Sequence, residues 1–436
     1  MKKVFQEADI LLPIDGIDMN RWAVVACDQY TSEQEYWEEA EAFVGQEPST
    51  LDMILPEVYL DRPDTEERLD RIHQAMEKYE RDKLFQCLPQ TMIYIERKDS
   101  SGNVRQGLMG CVDLEYYDYS RDSGSPVRGT EATVPSRLPA RVRIREGALL
   151  ELPHIMLLID DDARTVIEPL AAMKDRMKTL YNFDLMLGGG HLTGYQLEHE
   201  EIHQVLSALD RLGDREAFTR KYQAEGHPVL TYAVGDGNHS LAAARLFYET
   251  MKAAEPDRDF SGHPARYALV ELVNLHSPAL EFQPIHRIVK GVDVEKMMAD
   301  MRDQLDLTGP IKENEEGVDA AGKDSDVQSF VLVRKGRRSR YVIGRKRAKL
   351  TVGSLQRFLD SWCDSHGGEI DYIHGEDVLE TLSMEEDAAG FLLPGMEKSQ
   401  LFPTVIFDGA LPRKTFSMGH AQDKRYYVEC RRITEK

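Results

Sequence analysis

Short apolar runs alternate along this chain with stretches whose apolar residues recur every three or four positions. The first pattern fits buried strands and the second fits helices packed on one face. Ile10-Leu11-Leu12-Pro13 and Trp22-Ala23-Val24-Val25-Ala26 predict two strands, parted by the turn signal Asp15-Gly16. Thr31-Ser32-Glu33-Gln34-Glu35 has the polar opening of a helix that carries Tyr36 and Trp37. Pro63-Asp64 opens an amphipathic helix with Leu69, Ile72, Met76 and Tyr79 on one face. Thr91–Ile95 and Gly107–Val112 predict a hairpin turning at Ser100-Ser101-Gly102-Asn103.

Residues 118–147 are polar and rich in arginine, including Arg137, Arg141, Arg143 and Arg145. A long connection of this kind is often functional. Ile155–Ile159 ends it as a buried strand. Gly188-Gly189-Gly190-His191 lacks the Gly-Lys-Ser/Thr ending of a phosphate-binding Walker loop and reads as a hairpin turn or a ligand-facing loop. Glu201–Leu212 is helical, with Ile202, Val205, Leu206 and Leu209 on one face. The strand Val229–Val234 runs into Gly235-Asp236-Gly237-Asn238-His239-Ser240, a helix follows over Leu241–Met251, and Arg266–Leu275 is a further strand. Beyond Gly291 come a Met-rich helix, the acidic segment Glu313–Asp326 and the strands Phe330–Val333 and Tyr341–Ile343. The expected fold class is α/β of the α+β kind, in three parts: residues 1–150, a core over 151–290 that carries the Asp-Gly-Asn-His turn, and 291–436.

Charge narrows the range of partners. The 436 residues carry a formal net charge of −22, so phosphate backbones and anionic membranes would repel them. A small molecule in a local site is the expected ligand. The five cysteines, Cys27, Cys87, Cys111, Cys363 and Cys430, are odd in number and show no C-x-x-C spacing, which argues against a disulfide framework and a zinc ribbon. No signal peptide or membrane span is read, so the expected compartment is the cytoplasm.

The segment Gly235–Ser240 holds the sharpest chemical signal. Gly235 and Gly237 allow a tight turn after a strand, and the next residues open a helix whose free N–H groups favour anions. Asp236 and His239 set a carboxylate and an imidazole together there, a pairing suited to phosphoryl transfer. The plainer alternative is that Asp236 or Asn238 merely caps the helix. Pro284-Ile285-His286-Arg287 could hold a phosphate or be a solvated strand end. Glu131 and Asp28 are either solvated loop carboxylates or site residues, and Cys27 reads as a buried structural cysteine rather than a nucleophile. Lys414-Thr415 and Ser417 offer one cation and two hydroxyls in what is otherwise a solvated turn.

These segments, in this order, resemble the family called domain of unknown function 1015. Val234–Arg245 is similar to its D-G-H-H-R-Y-x-x-A signature, and Ala26–Tyr36 to its P-Y-D-V-I-S region, with Asp28 at the Asp. Thr130–Thr133 is similar to its H-E-R-T segment, Gln283–Val289 to L-P-T-H-R-L-V and Leu411–Ser417 to M-P-P-K-S-T. The family more distantly resembles the ParB/sulfiredoxin-like fold, one branch of which phosphorylates free serine. The resemblance implies a phosphotransferase acting on serine or phosphoserine with ADP or ATP and Mg²⁺; the alternatives are a ParB-like nucleotide-binding switch and a non-catalytic metabolite-binding protein. Asp236, His239 and Glu131 would then be catalytic. Gly237, Asn238, Ser240, Asp28, Arg245, His286, Arg287, Lys414 and Thr415 would bind substrate or phosphate. Asn238 stands in place of the signature's first histidine and Ser240 in place of its arginine, which removes a bidentate phosphate clamp. Arg245, His286-Arg287 or Lys414 would have to supply the charge.

Overall fold

The computed structural model describes residues 3–30, 33–60, 62–99, 101–311, 327–412, 414–419 and 423–435. The expectations for Thr31-Ser32, Ser100 and Glu313–Asp326 lie outside them. The protein is α+β, with 11 α-helices and several sheets among the described residues. Its contacts group Met1–Leu280 with Gly419–Lys436 in one unit and Glu281–Met418 in a second.

In the first unit a mixed sheet runs in the order Lys178–Asp184, His191–Gln196, Ile93–Lys98, Val104–Asp113, Tyr267–Asn274, Met156–Ile159, Tyr232–Asp236, Val127–Gly129, Tyr117–Asp118. The expected hairpin is Ile93–Lys98 with Val104–Asp113, and Asp99 holds its turn by accepting from the N–H groups of Ser101 and Asn103 at 2.9 and 2.8 Å. The glycine run lies between the paired strands Lys178–Asp184 and His191–Gln196. The strand Tyr232–Asp236 has a different neighbour on each side. Met156–Ile159 lies antiparallel to it, whereas Val127–Gly129 lies parallel to it with Val234 opposite Gly129. Two chain segments therefore leave the same edge side by side.

The amphipathic helix is Thr65–Arg81, and it buries Leu69, Ile72, Met76 and Tyr79 as its spacing predicts. Two expectations are corrected. Trp22 ends a short helix, Met19–Trp22, because the Asp18 carboxylate caps Asn20 N–H at 3.1 Å; only Val24–Val25 is strand. Residues 118–147 are not one open connection, since they hold the strand Val127–Gly129 and the helix Leu138–Arg145.

The segment after Gly419 is woven into this unit. Tyr426–Tyr427 pairs with Val24–Val25, and Arg431–Arg432 with Leu150–Glu151. Arg425 donates at 2.9 Å to Glu271, a fully buried carboxylate that Arg105 also approaches. A buried carboxylate needs such partners, because its desolvation is otherwise uncompensated.

The second unit is built on an antiparallel sheet, ordered Leu307–Ile311, Arg337–Ile343, Ser329–Arg334, Ala389–Leu392, Phe282–Lys290, Glu369–His374, with Phe416–Met418 pairing with the start of Phe282–Lys290. The helix Val294–Leu305 buries Met297, Met298 and Met301 in one core with Leu355, Phe358 and Leu359 of the helix Thr351–His366.

Candidate functional site

The site begins where the strand Tyr232–Asp236 stops and the helix Asn238–Ala254 starts. Gly237 makes the turn at φ 78°, the left-handed region that glycine enters without penalty. A Cβ at this position would also lie 3.0 Å from Ile155 Cα. Both facts reserve the position for glycine. Gly237 is itself the N-cap, without a side-chain cap bond, so neither Asp236 nor Asn238 caps the helix.

The Asn238 side chain is a brace. Its Oδ1 accepts from Thr130 N–H at 3.1 Å and its Nδ2 donates to Val234 O at 3.3 Å, while Thr130 Oγ1 donates to the same carbonyl at 2.6 Å. These bonds tie together the ends of the two parallel strands. Glu131, half-buried, follows two residues beyond the end of the strand Val127–Gly129. Neighbouring parallel strand ends are where open α/β sheets collect ligands.

Asp236 is held from two sides. Its Oδ1 accepts from Gly237 N–H at 3.0 Å, and its Oδ2 accepts from Lys424 Nζ at 3.0 Å. Lys424 is buried. His239 Nε2 accepts from Val134 N–H at 3.3 Å, which puts the ring proton on Nδ1. Burial, then the guanidinium groups of Arg141 and Arg137, push its pKa down to about 4. It is therefore neutral at pH 7 and offers a hydrogen bond rather than a positive charge.

Ser240 opens a chain of polar contacts. Its Oγ lies 2.9 Å from His154 Nε2, and His154 Nδ1 lies 2.7 Å from the Tyr427 hydroxyl. That hydroxyl lies 3.0 Å from Cys27 Sγ and accepts from Cys27 N–H at 3.1 Å. Burial, then the neighbouring Asp28 carboxylate, push the Cys27 thiol up to about 12. Asp28 Oδ2 sits 3.8 Å from His154 Nε2. Burial raises the Asp28 carboxyl, but His154, the Gln29 amide and Lys424 outweigh it and hold it below its usual value.

Asp28, Asp236, His239 and Ser240 thus belong to one neighbourhood of the first unit, with Glu131 at the adjoining strand end. The other residues read from the sequence have different surroundings. Arg245 donates to Leu114 O at 2.6 Å and pairs with Glu249 at 2.7 Å. His286 and Arg287 lie inside the strand Phe282–Lys290 of the second unit rather than at a solvated strand end. His286 Nδ1 accepts from Leu393 N–H at 3.2 Å, and burial pushes its pKa to about 4. Arg287 is fully buried; it donates to Gln356 at 2.6 Å and lies 4.6 Å from the Tyr372 ring centre. Lys414 Nζ is 5.8 Å from the same ring centre, and Thr415 Oγ1 donates to Pro412 O at 2.7 Å.

Three residues of the neighbourhood escaped sequence reasoning: His154, Lys424 and Tyr427. The run Lys424-Arg425-Tyr426-Tyr427, basic and aromatic in an acidic chain, was the available signal for two of them. His154 sits alone between Pro153 and a strand, with no motif around it. Among the described residues, no group of three or more His, Cys, Asp or Glu is placed to hold a metal ion.

No curated protein matches the chain. Among solved structures it is similar to a free serine kinase in complex with AMP, at 12% identity and a TM-score of 0.39, over 73% of this chain and 90% of that one. It is similar also to a variant of free serine kinase in complex with ADP, at 11% identity and a TM-score of 0.40, over 75% of this chain and 92% of that one. A conserved hypothetical protein from Pyrococcus furiosus matches at 11% identity and a TM-score of 0.38, over 74% and 94%. The model of the family described as "Protein of unknown function (DUF1015)" matches residues 11–362, and the chain belongs to that family.

Proposed function

We propose that the turn at Asp236 is the phosphate site of a small-molecule phosphotransferase, working between ADP or ATP and serine or phosphoserine. The first unit is read, with this, as a ParB/sulfiredoxin-like core. The observation that carries the reading is the pair of Asp236 and Lys424, 3.0 Å apart at the glycine turn that opens a 17-residue helix. A carboxylate, a buried cation and the free N–H groups of a first helical turn meet there, the elements that hold phosphate and manage its charge. Lys424 supplies the charge that the family signature places at the position of Ser240. Asp236 is then the general base or a metal-associated carboxylate, and Lys424 and the Asn238 N–H hold phosphate, since Gly237 N–H is already bonded to Asp236. Neutral His239 donates from Nδ1, and Asp28 and Glu131 orient the hydroxyl substrate.

Mg²⁺ binds through one or two carboxylates together with substrate phosphates, so it needs no cluster of three protein ligands. Asp236 and Glu131 would hold it, and it would neutralise charge on the phosphates. The test is isotope exchange between labelled nucleotide and serine, run in both directions with the purified chain. Exchange above background that is lost in Asp236→Asn supports the reading. Absence of exchange with either nucleotide and any serine-like compound refutes it. A non-catalytic metabolite-binding protein is the second reading, favoured by the charge-neutral His239 and by Ser240; it predicts a nucleotide-induced rise in melting temperature without exchange.

A further inference from the structure

Next to the turn, the first unit contains a cavity of about 120 Å³. Its wall is mostly apolar, with Met53, Ile54, Leu55, Leu60, Met76 and Ile144 among the lining residues. The charged residues that reach it are already ion-paired. Arg141 bonds Glu57, Arg145 bonds Glu151 at 2.7 Å, and Glu151 pairs with Arg431 at 2.9 Å as well. The remaining polar lining is one connected chain: Ser240, His154, Tyr427 and Cys27.

That chain can run in either direction. Tyr427 has one hydroxyl proton to give. If it donates to Cys27 Sγ, His154 donates from Nδ1 and Ser240 donates to Nε2. If the thiol donates to Tyr427 instead, every link reverses and His154 donates to Ser240. Ser240 thus has a spare acceptor site in one arrangement and a spare donor in the other. A ligand hydroxyl, which is both donor and acceptor, satisfies either arrangement. A carboxylate or ammonium would be buried against side chains already paired, which is unfavourable without a counter-ion of its own. On size, an apolar cavity of about 150 Å³ holds benzene.

We infer that this cavity binds a small neutral alcohol with an apolar body of roughly six heavy atoms, its hydroxyl on Ser240. The binding does not depend on phosphoryl transfer.

The test is calorimetry on the full chain without nucleotide, using benzyl alcohol, toluene and L-serine as probes. The expected result is that benzyl alcohol binds at least tenfold more tightly than toluene and that L-serine does not displace it. Ser240→Ala, which removes one oxygen and leaves the helix intact, should bring benzyl alcohol to the affinity of toluene. Leu60→Trp, at the half-buried edge of the cavity, should weaken both probes at least tenfold. Equal binding of the two probes to the wild type, displacement by L-serine, or no binding of benzyl alcohol overturns the inference. Failure of nucleotide exchange with intact benzyl alcohol binding would sink the phosphotransferase reading alone; the converse would sink this inference alone.

Discussion

Breaking the ion pair at the turn should cost stability unequally from its two ends. Asp236 and Lys424 lie 3.0 Å apart, with side-chain exposures of 22% and 8%. At an effective dielectric constant of about 20, two charges at that separation attract by a gross ~5.5 kcal/mol, most of which offsets desolvation. Asp236→Asn leaves an ammonium with little access to water, so the cost should approach the ~3 kcal/mol seen when a buried pair loses one partner. Lys424→Met leaves a carboxylate that water reaches and that still accepts from Gly237 N–H, so about 1–2 kcal/mol is expected. The double variant removes both charges and should be more stable than Asp236→Asn alone. Thermal melting reads these differences at ~2 °C per kcal/mol for a protein of this size. Nucleotide exchange supplies the second readout. All three variants should lose roughly 10²–10⁴-fold in turnover, including the double variant whose stability recovers. Strictly additive stability costs would refute the pairing, and full activity in Asp236→Asn would remove that residue from the mechanism.

Gly237→Ala should destabilise by about 2 kcal/mol or more, from left-handed backbone strain plus the close approach to Ile155, with binding at the turn lost as well. Chemical denaturation should show stability falling as pH drops from about 6.5 towards 4. His239 and His286 each have a folded pKa of about 4 against an ordinary 6.5, so their contribution is complete above the unfolded value and is lost as the unfolded chain takes up protons. His239→Gln should shallow that slope, and an unchanged slope would refute the assignment. Filter binding at low salt should detect no salt-dependent affinity for duplex DNA, given the net charge of −22.

The local chemistry of the turn was legible because its causes are local. Strand, glycine turn and helix follow one another within Tyr232–Ala254, and the helix begins at Asn238, next to His239. The amphipathic helix at Leu69–Tyr79 was legible for the same reason, since its spacing alone dictates which face is buried. The partners of the turn were not. Lys424 meets Asp236 across 188 positions of sequence, and Tyr427 meets His154 across 273. Nothing in a periodicity reports such pairings. Arg287 misled for a related reason: a basic residue near a strand reads as solvated, yet here Gln356 and the Tyr372 ring accommodate it in the interior.

The return of residues 419–436 to the first unit has a consequence for biosynthesis. The ribosome makes the whole of Glu281–Met418 before it makes Lys424, Arg425 and Tyr427. Throughout that interval the nascent first unit holds Asp236 without its cation, Glu271 without Arg425, and Val24–Val25 without a strand partner. A translation product that stops anywhere in the second unit would therefore keep the turn and its glycines but lack the cation at Asp236. It would also expose a strand edge and a buried carboxylate, the features by which quality-control proteases and chaperones know unfinished chains.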